Sequence, residues 1–399
     1  MNGYLKSGIP KPFRTMLQDL RRGFSALYYY LFRVFPINNK KIVISSYYGK
    51  GFSDNPKYIA LELLKQGCGY DIVWLVRPEF NTGFPDGIRA VRYGTMKAAF
   101  ELTTARVWID NCRKAAVVKK RKGQYYIQTW HGGLGIKRIE GDAIESLSRQ
   151  YVISARFDST MIDLLISNSK HLTDIYKRAF WYDGEIYECG YPKNDIFFKD
   201  NVDIKRRVRS FYGVDDTTKI ALYAPTFRDH QDLSAYDMDY HRVIAALEHK
   251  TGDRWILLIR LHPNLAELND GIQYGGKLIN ATRYPDMGEL AIACDLLISD
   301  YSSAMFDAEM QKKPTFIYAS DYDKYMDNRG SYFDMKKDLP FPLATNSDEL
   351  VNNIAEFDQR EYEANVDRFN ERVGLKETGR AAELVAERIR DVVFGAGGQ

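Results

Sequence analysis

Four short segments place reactive or anion-binding side chains directly after runs that read as strands. In Gln128-Thr129-Trp130-His131-Gly132-Gly133, a histidine at a strand end precedes two glycines that let backbone approach a ligand, a setting for a proton acceptor near neutral pH. A core histidine satisfied by hydrogen bonds would show the same letters. In Tyr223-Ala224-Pro225-Thr226-Phe227-Arg228-Asp229 a strand breaks at proline and offers the Thr226 hydroxyl with the Arg228 guanidinium, both suited to phosphate oxygens. A strand-to-loop transition with a surface Arg-Asp pair is the plain alternative. In Ile259-Arg260-Leu261-His262-Pro263 a period of two sends Arg260 and His262 to one side, where an anion or a structural carboxylate would meet them. The fourth segment runs from Asp295 to Asp307: a buried strand enters Ser299-Asp300-Tyr301-Ser302-Ser303 and then a helix. Hydroxyls of Ser302 and Ser303, with free amides at the helix start, suit a diphosphate. Asp307 follows one turn later, where it would hold a ribose or polyol hydroxyl. Plain helix capping by either serine competes with this reading.

These segments need a scaffold of strands whose ends meet in a cleft. Ile42 to Ser46, Ile72 to Val76, Val107 to Asp110, Tyr125 to Thr129 and Leu164 to Ser167 read as buried parallel strands with helices between them. One helix is signalled by Asp54 or Asn55 as N-cap, Pro56 in the first turn and Gly67 past its end. After Cys189-Gly190-Tyr191-Pro192 the alternation restarts, with Lys219 to Ala224, Trp255 to Leu261, Asp295 to Ser299 and Thr315 to Tyr318 as strands. The expectation is an α/β chain of two Rossmann-like units: residues 37–185, then 186–345, with closing helices over 346–399. At 399 residues, 45% hydrophobic, the chain is long enough for two cores.

The net charge of +3 is unevenly spread: residues 1–41 carry eight Lys or Arg against the single acid Asp19, which leaves about −4 on the remainder. Within this leader, expected over 1–36, Phe13, Leu17, Leu20, Phe24, Leu27, Leu31 and Val34 recur every three or four residues and form one helical stripe. Arg14, Arg21, Arg22 and Arg33 lie off it, and Tyr28, Tyr29, Tyr30, Phe32 and Phe35 add aromatic rings. That composition suits a helix lying in an anionic headgroup layer, or one docked on the domain behind it. No apolar run approaches the length of a bilayer span, and no cleavable signal is evident, so a cytoplasmic, non-spanning protein is expected. The four cysteines are far apart, which suggests neither a disulfide scaffold nor a zinc module. Walker, GxGxxG and HExxH motifs are missing, which argues against ATP, NAD or zinc chemistry, and no nucleic-acid partner is expected. The basic stretch Arg113 to Lys122 reads as a solvated loop, with contact to a lipid diphosphate as the alternative.

Taken in order, these segments resemble the CDP-glycerol glycerophosphotransferase family of teichoic acid primases and polymerases. The resemblance begins at Ser53-Asp54-Asn55-Pro56-Lys57-Tyr58 and Val73-Trp74-Leu75 and continues through Gln128 to Gly132 and Gly190-Tyr191-Pro192-Lys193-Asn194-Asp195. It then takes in Tyr223 to Asp229, Arg260 to Pro263, Ser299 to Ser303 and Asp327-Asn328-Arg329-Gly330-Ser331-Tyr332-Phe333-Asp334. The resemblance implies a GT-B-like fold, CDP-glycerol held mainly by the C-terminal unit, two essential histidines at His131 and His262, and a peripheral enzyme at the cytoplasmic membrane face. One departure is Gly133-Leu134 after His131-Gly132, where the family often has Thr-Pro.

On that footing no cofactor is expected. CDP-glycerol is the donor, a lipid-linked polymer hydroxyl the acceptor, and CMP the leaving group. His131 is expected as general base, with Gly132 beside it and Arg260, His262, Thr226, Arg228, Asp300, Ser302, Ser303 and Asp307 around the donor. Closure of the two units would exclude water. A nucleotide-sugar glycosyltransferase, a CDP-ribitol-dependent enzyme and a noncatalytic two-lobed binding module are the competing readings.

Overall fold

Two all-parallel sheets organise the chain. The computed structural model describes residues 27–226, 228, 236–261 and 272–395, with backbone alone at 327–329. The first sheet has the order β3-β2-β1-β4-β5-β6-β7. Its strands are β1 (Asn38–Ser45), β2 (Asp71–Val76), β3 (Ile88–Arg92), β4 (Ala105–Asp110), β5 (Tyr125–Gln128), β6 (Leu164–Ser167) and β7 (Glu185–Glu188). The second has the order β10-β9-β8-β11-β12-β13, built from β8 (Lys219–Tyr223), β9 (Trp255–Ile259), β10 (Leu278–Asn280), β11 (Leu296–Ser299), β12 (Thr315–Tyr318) and β13 (Leu343–Ala344).

Both sheets reverse direction of winding once, between β1 and β4 in the first and between β8 and β11 in the second. A crevice opens at the carboxyl ends of strands at such a reversal, and ligands bind there in doubly wound folds. The two sheets together form two Rossmann-like units, the GT-B-like architecture expected from the sequence.

Central strands are apolar on both faces because helices cover both: Ile42, Ile44, Val73, Trp74, Val107 and Ile109 are all buried. The Asp54–Gln66 helix is capped by Ser53 rather than by Asp54 or Asn55, which both lie inside it; Pro56 stands in its first turn as expected, and Gly67 closes it in a left-handed conformation at φ 64°.

The two units are not simply consecutive. β7 pairs with β6, so the change of sheet falls after Glu188 rather than at residue 185. The closing helices also divide. Tyr362, Val366, Phe369 and Val373 of the Gln359–Val373 helix join the second core, whereas Val385, Ala386 and Ile389 of the Ala381–Phe394 helix return to the first.

Of the leader, Leu27 onward is described, and Phe13, Leu17, Leu20, Phe24, Arg14, Arg21 and Arg22 lie outside the described residues. Tyr29 is buried, and Phe32 and Phe35 meet Phe100 edge-on at 5.5 and 5.3 Å. The stripe residues Leu27, Leu31 and Val34 point away from this docked face and stay 48, 55 and 81% exposed. No helix among the described residues is long and apolar enough to cross a membrane.

The basic stretch is not solvated as expected. Arg113 is buried against Glu140 at 3.1 Å and Asp158 at 3.3 Å, and Lys114 is buried on Asp110 at 2.8 Å. Arg121 donates to the carbonyls of Phe35 and Arg33, which ties the end of the leader to the first unit. Burial of these charges is tolerable because each is matched by a carboxylate or by backbone oxygen.

Candidate active site

His131 stands just past the end of β5, and the chain before it is tightly prescribed. The Thr129 amide donates to the Asp110 carbonyl at 2.9 Å, and the Trp130 amide donates to Gln128 Oε1 at 2.9 Å. Trp130 is left-handed, at φ 52°. So are Tyr47, Tyr48 and Asp54 nearby in the first unit, at φ 45°, 58° and 62°. Non-glycine residues in this region cost roughly 1–3 kcal/mol each and persist only where the surroundings over-determine them.

Here the surroundings are visible. Asn111, fully buried just after β4, accepts from the Tyr47 amide through Oδ1 at 2.8 Å, and its main-chain oxygen lies 2.7 Å from His131 Nδ1. A carbonyl can only accept, so Nδ1 carries the proton and Nε2 of the neutral ring keeps its lone pair. The imidazole is held between Trp130, at a ring separation of 4.5 Å, and the edge of Tyr47, at 5.3 Å. Cys112 Sγ approaches to 4.0 Å, but burial pushes its thiol well up, so it is a neutral neighbour and not a nucleophile.

The turn after the histidine reaches the second unit. A Cβ placed on Gly133 would lie 3.1 Å from the Cβ of Ser303, so only glycine permits this approach without displacing a neighbour. Leu134 and Ile136, which follow, belong to the core of the second unit. Ser331 Oγ and the Tyr332 amide both donate to the Ile136 carbonyl, at 2.9 and 2.8 Å. The histidine turn and the serine segment are therefore already in contact, and closure of an open cleft is not required to bring them together.

Around the β8/β11 reversal the expected ligands are arranged differently from expectation. Asp300, 1% exposed, accepts from the Thr226 hydroxyl at 2.6 Å, the Thr226 amide at 2.8 Å and Arg228 at 2.8 Å. Arg228 also binds Asp321, at 2.7 Å, and lies over the rings of Tyr301 and Tyr325. Thr226, Arg228 and Asp300 thus form a closed brace that shapes the crevice wall. The guanidinium is neutralised twice, and turning it to a phosphate would strand the buried Asp300 carboxylate. Asp307 is engaged as well: both its oxygens accept from Lys193 Nζ at 2.9 Å.

The donors left over are Arg260 and the serines. Arg260 is tied through its amide to the Tyr223 carbonyl at 2.8 Å, and its Nη1 is buried with no partner among the described residues. Burial lowers its pKa, opposed by the charge of Asp286. An unmatched buried guanidinium nitrogen is costly, and an anion is its natural complement. Ser302 Oγ accepts from the Ala304 amide at 3.3 Å, while Ser303 makes no side-chain cap bond. The Ala304–Glu309 helix is only six residues long, so the hydroxyls matter more than any helix dipole. Gly132 is half-buried beside the Trp130 indole. His262 lies outside the described residues. Among the described residues no group of three His, Cys, Asp or Glu side chains is arranged to hold a metal.

Reasoning from sequence missed Asn111, Asn55 and Lys193. Asn111 had a signal, a second polar residue directly after a buried strand; the other two sit in motifs whose spacing does not reveal that they meet.

A family model described as CDP-glycerol:poly(glycerophosphate) glycerophosphotransferase matches residues 27–391. Teichoic acid poly(glycerol phosphate) polymerases of Staphylococcus epidermidis and Bacillus subtilis are each 30% identical over 366 residues, covering 88% and 89% of this chain. The chain spans about half the length of these two relatives, 51% and 49%. A solved structure of the wall teichoic acid polymerase TagF superposes with a TM-score of 0.81 at 28% identity, over 96% of this chain and 97% of that one, and comes from a crystal soaked with CDPG.

Proposed function

This chain belongs to the CDP-glycerol:poly(glycerophosphate) glycerophosphotransferase family, and from that premise we propose that it transfers glycerol phosphate from CDP-glycerol to a hydroxyl of a lipid-linked teichoic acid or capsule-type acceptor, releasing CMP. The observation that carries this reading is the contact between the Gly133 turn and Ser303, which brings the turn carrying His131, its Nδ1 facing the Asn111 carbonyl, against the serine segment.

In the proposed reaction the acceptor oxygen attacks the glycerol-bearing phosphorus while His131 Nε2 takes its proton. The new P–O bond forms as the bond to CMP breaks, and CMP leaves with the bridging oxygen and its electron pair. Phosphate monoester is a weak base, so a single general base serves; such a group is typically worth about 10² to 10⁴ in rate. Arg260 and Ser303 meet the charge on the nonbridging oxygens, with His262 assigned to the same task by its motif.

Offering CDP-glycerol, CDP-ribitol and a nucleotide sugar in parallel with a lipid-linked acceptor, with products weighed by mass spectrometry, tests the assignment. Mass increments of one glycerol phosphate are expected from the first donor; transfer from the nucleotide sugar alone would refute it.

The same reading places the enzyme at the cytoplasmic face of the membrane. Its support is the outward stripe of Leu27, Leu31 and Val34 beside the basic leader, a face suited to headgroups and acyl boundary. Sedimentation with anionic vesicles should fall sharply for Leu31→Glu with Val34→Glu; unchanged sedimentation would remove this placement.

A further inference from the structure

We propose that Asn55, acting through Lys193 and Asp307, is a positioning residue that fixes where His131 stands against Ser303. The proposal rests on the reading of His131 as base and deepens it.

Asn55 is fully buried at the start of the Asp54–Gln66 helix, and its carboxamide is used in two directions. Nδ2 donates to the Trp130 carbonyl at 3.2 Å, and Oδ1 accepts from the Lys193 amide at 3.1 Å. The first arm holds the left-handed residue immediately before His131. The second arm leads into the crossover between the sheets, at the start of the Pro192–Phe198 3-10 turn. From there Lys193 Nζ reaches both oxygens of Asp307, which lies one helical turn past Ser303. Both partners are largely buried, at 14 and 11% side-chain exposure.

Burial works against the Lys193 ammonium, yet Asp307 and then Asp54 outweigh it and raise its pKa, so the pair is ionic. A buried ion pair with matched hydrogen bonds resists displacement because breaking it leaves an uncompensated charge. The result is an unbroken line of polar contacts from the backbone of the imidazole turn to the helix that carries the serine end. Asn55 is its only member bonded to both the histidine turn and the crossover, and an amide is the one side chain of this size that offers a donor and an acceptor on a single planar fork.

Asn55→Asp keeps the size and the oxygen facing Lys193 but replaces the donor to Trp130 with a second acceptor. CMP release in the presence of CDP-glycerol and lipid-linked acceptor should show kcat reduced about tenfold or more with the donor KM within about twofold, the pattern of displaced reacting groups. Asp307→Asn should act in the same direction. The double variant should lose little beyond the worse single, because both changes cut one line. Wild-type kcat for Asn55→Asp, a change confined to KM, or fully multiplicative effects in the double would each overturn the proposal. Should Asn55→Asp lose its cooperative melting transition, Asp307→Asn with Lys193→Met carries the same comparison. His131→Ala, run alongside, separates the two levels. Turnover retained there removes the base assignment itself. Loss there with wild-type kcat in Asn55→Asp removes the positioning role alone.

Discussion

The setting of His131 depends on one contact from far along the chain and on an unusual backbone conformation at the residue before it. Its tautomer is set by the Asn111 main-chain oxygen, and its placement by a left-handed Trp130. The place of Trp130-His131-Gly132 just past a strand end was legible, because a short apolar run stops there and glycines follow. The place of Ser303 directly before a helix was legible too. The fates of Arg228, Asp300 and Asp307 were not, since a basic residue near a phosphate site and one pairing with an acid look alike until the partner is seen. Arg228 separates these roles experimentally. Replacing it by glutamine leaves Asp300 and Asp321 without their cation, a loss of about 3–5 kcal/mol for a broken buried pair. Urea unfolding should therefore register the change, with donor KM near wild type in the folded enzyme. A raised KM at unchanged stability would mean that the guanidinium faces the donor after all.

At the scale of elements, the central strands could be read from their apolar runs, but β3, β7, β10 and β13 could not. All four are edge strands: β3 buries only Val91 and β7 none of its residues, so neither shows the continuous apolar signal of a strand covered on both faces. The return of the last helix to the first unit was equally hidden, because it depends on contacts far apart in sequence. Glu377, in the segment leading to that helix, is the hinge of this return. It accepts from the Tyr191 amide at 3.1 Å and from Asn194 Nδ2 at 2.7 Å, and it fills the space left by Gly190, where a Cβ would lie 2.8 Å from its Oε2. Burial pushes its carboxyl up to about 7, against the pull of Asn194 and the Tyr191 amide. The folded state thus favours the neutral acid. That contribution is fully present below the ordinary value of 4.5 and is lost as pH rises through about 7. The loss is on the order of 3 kcal/mol. A melting temperature that declines between pH 5 and 8, with a flatter decline in Glu377→Gln, is the expected result; parallel profiles for the two proteins would contradict it.

The whole molecule is better described as two sheets laced together than as two jaws. Leu134 and Ile136 leave the first unit for the core of the second, Tyr332 clamps the turn between them and Asp142, and the closing helices divide between both cores. Wide opening would pull apolar side chains from a core at roughly 1.5–3 kcal/mol each, so the site is preassembled and water exclusion must come from the bound substrates and small local movements. The proposed chemistry converges on one imidazole at the seam. The direct measurement is the rate of CMP release from CDP-glycerol by folded His131→Ala in the presence of lipid-linked acceptor, with donor affinity measured separately by calorimetry. A fall in kcat of about 10² to 10⁴ with donor affinity retained is predicted for a lost general base. Wild-type turnover, or a loss explained wholly by donor affinity, would contradict the account.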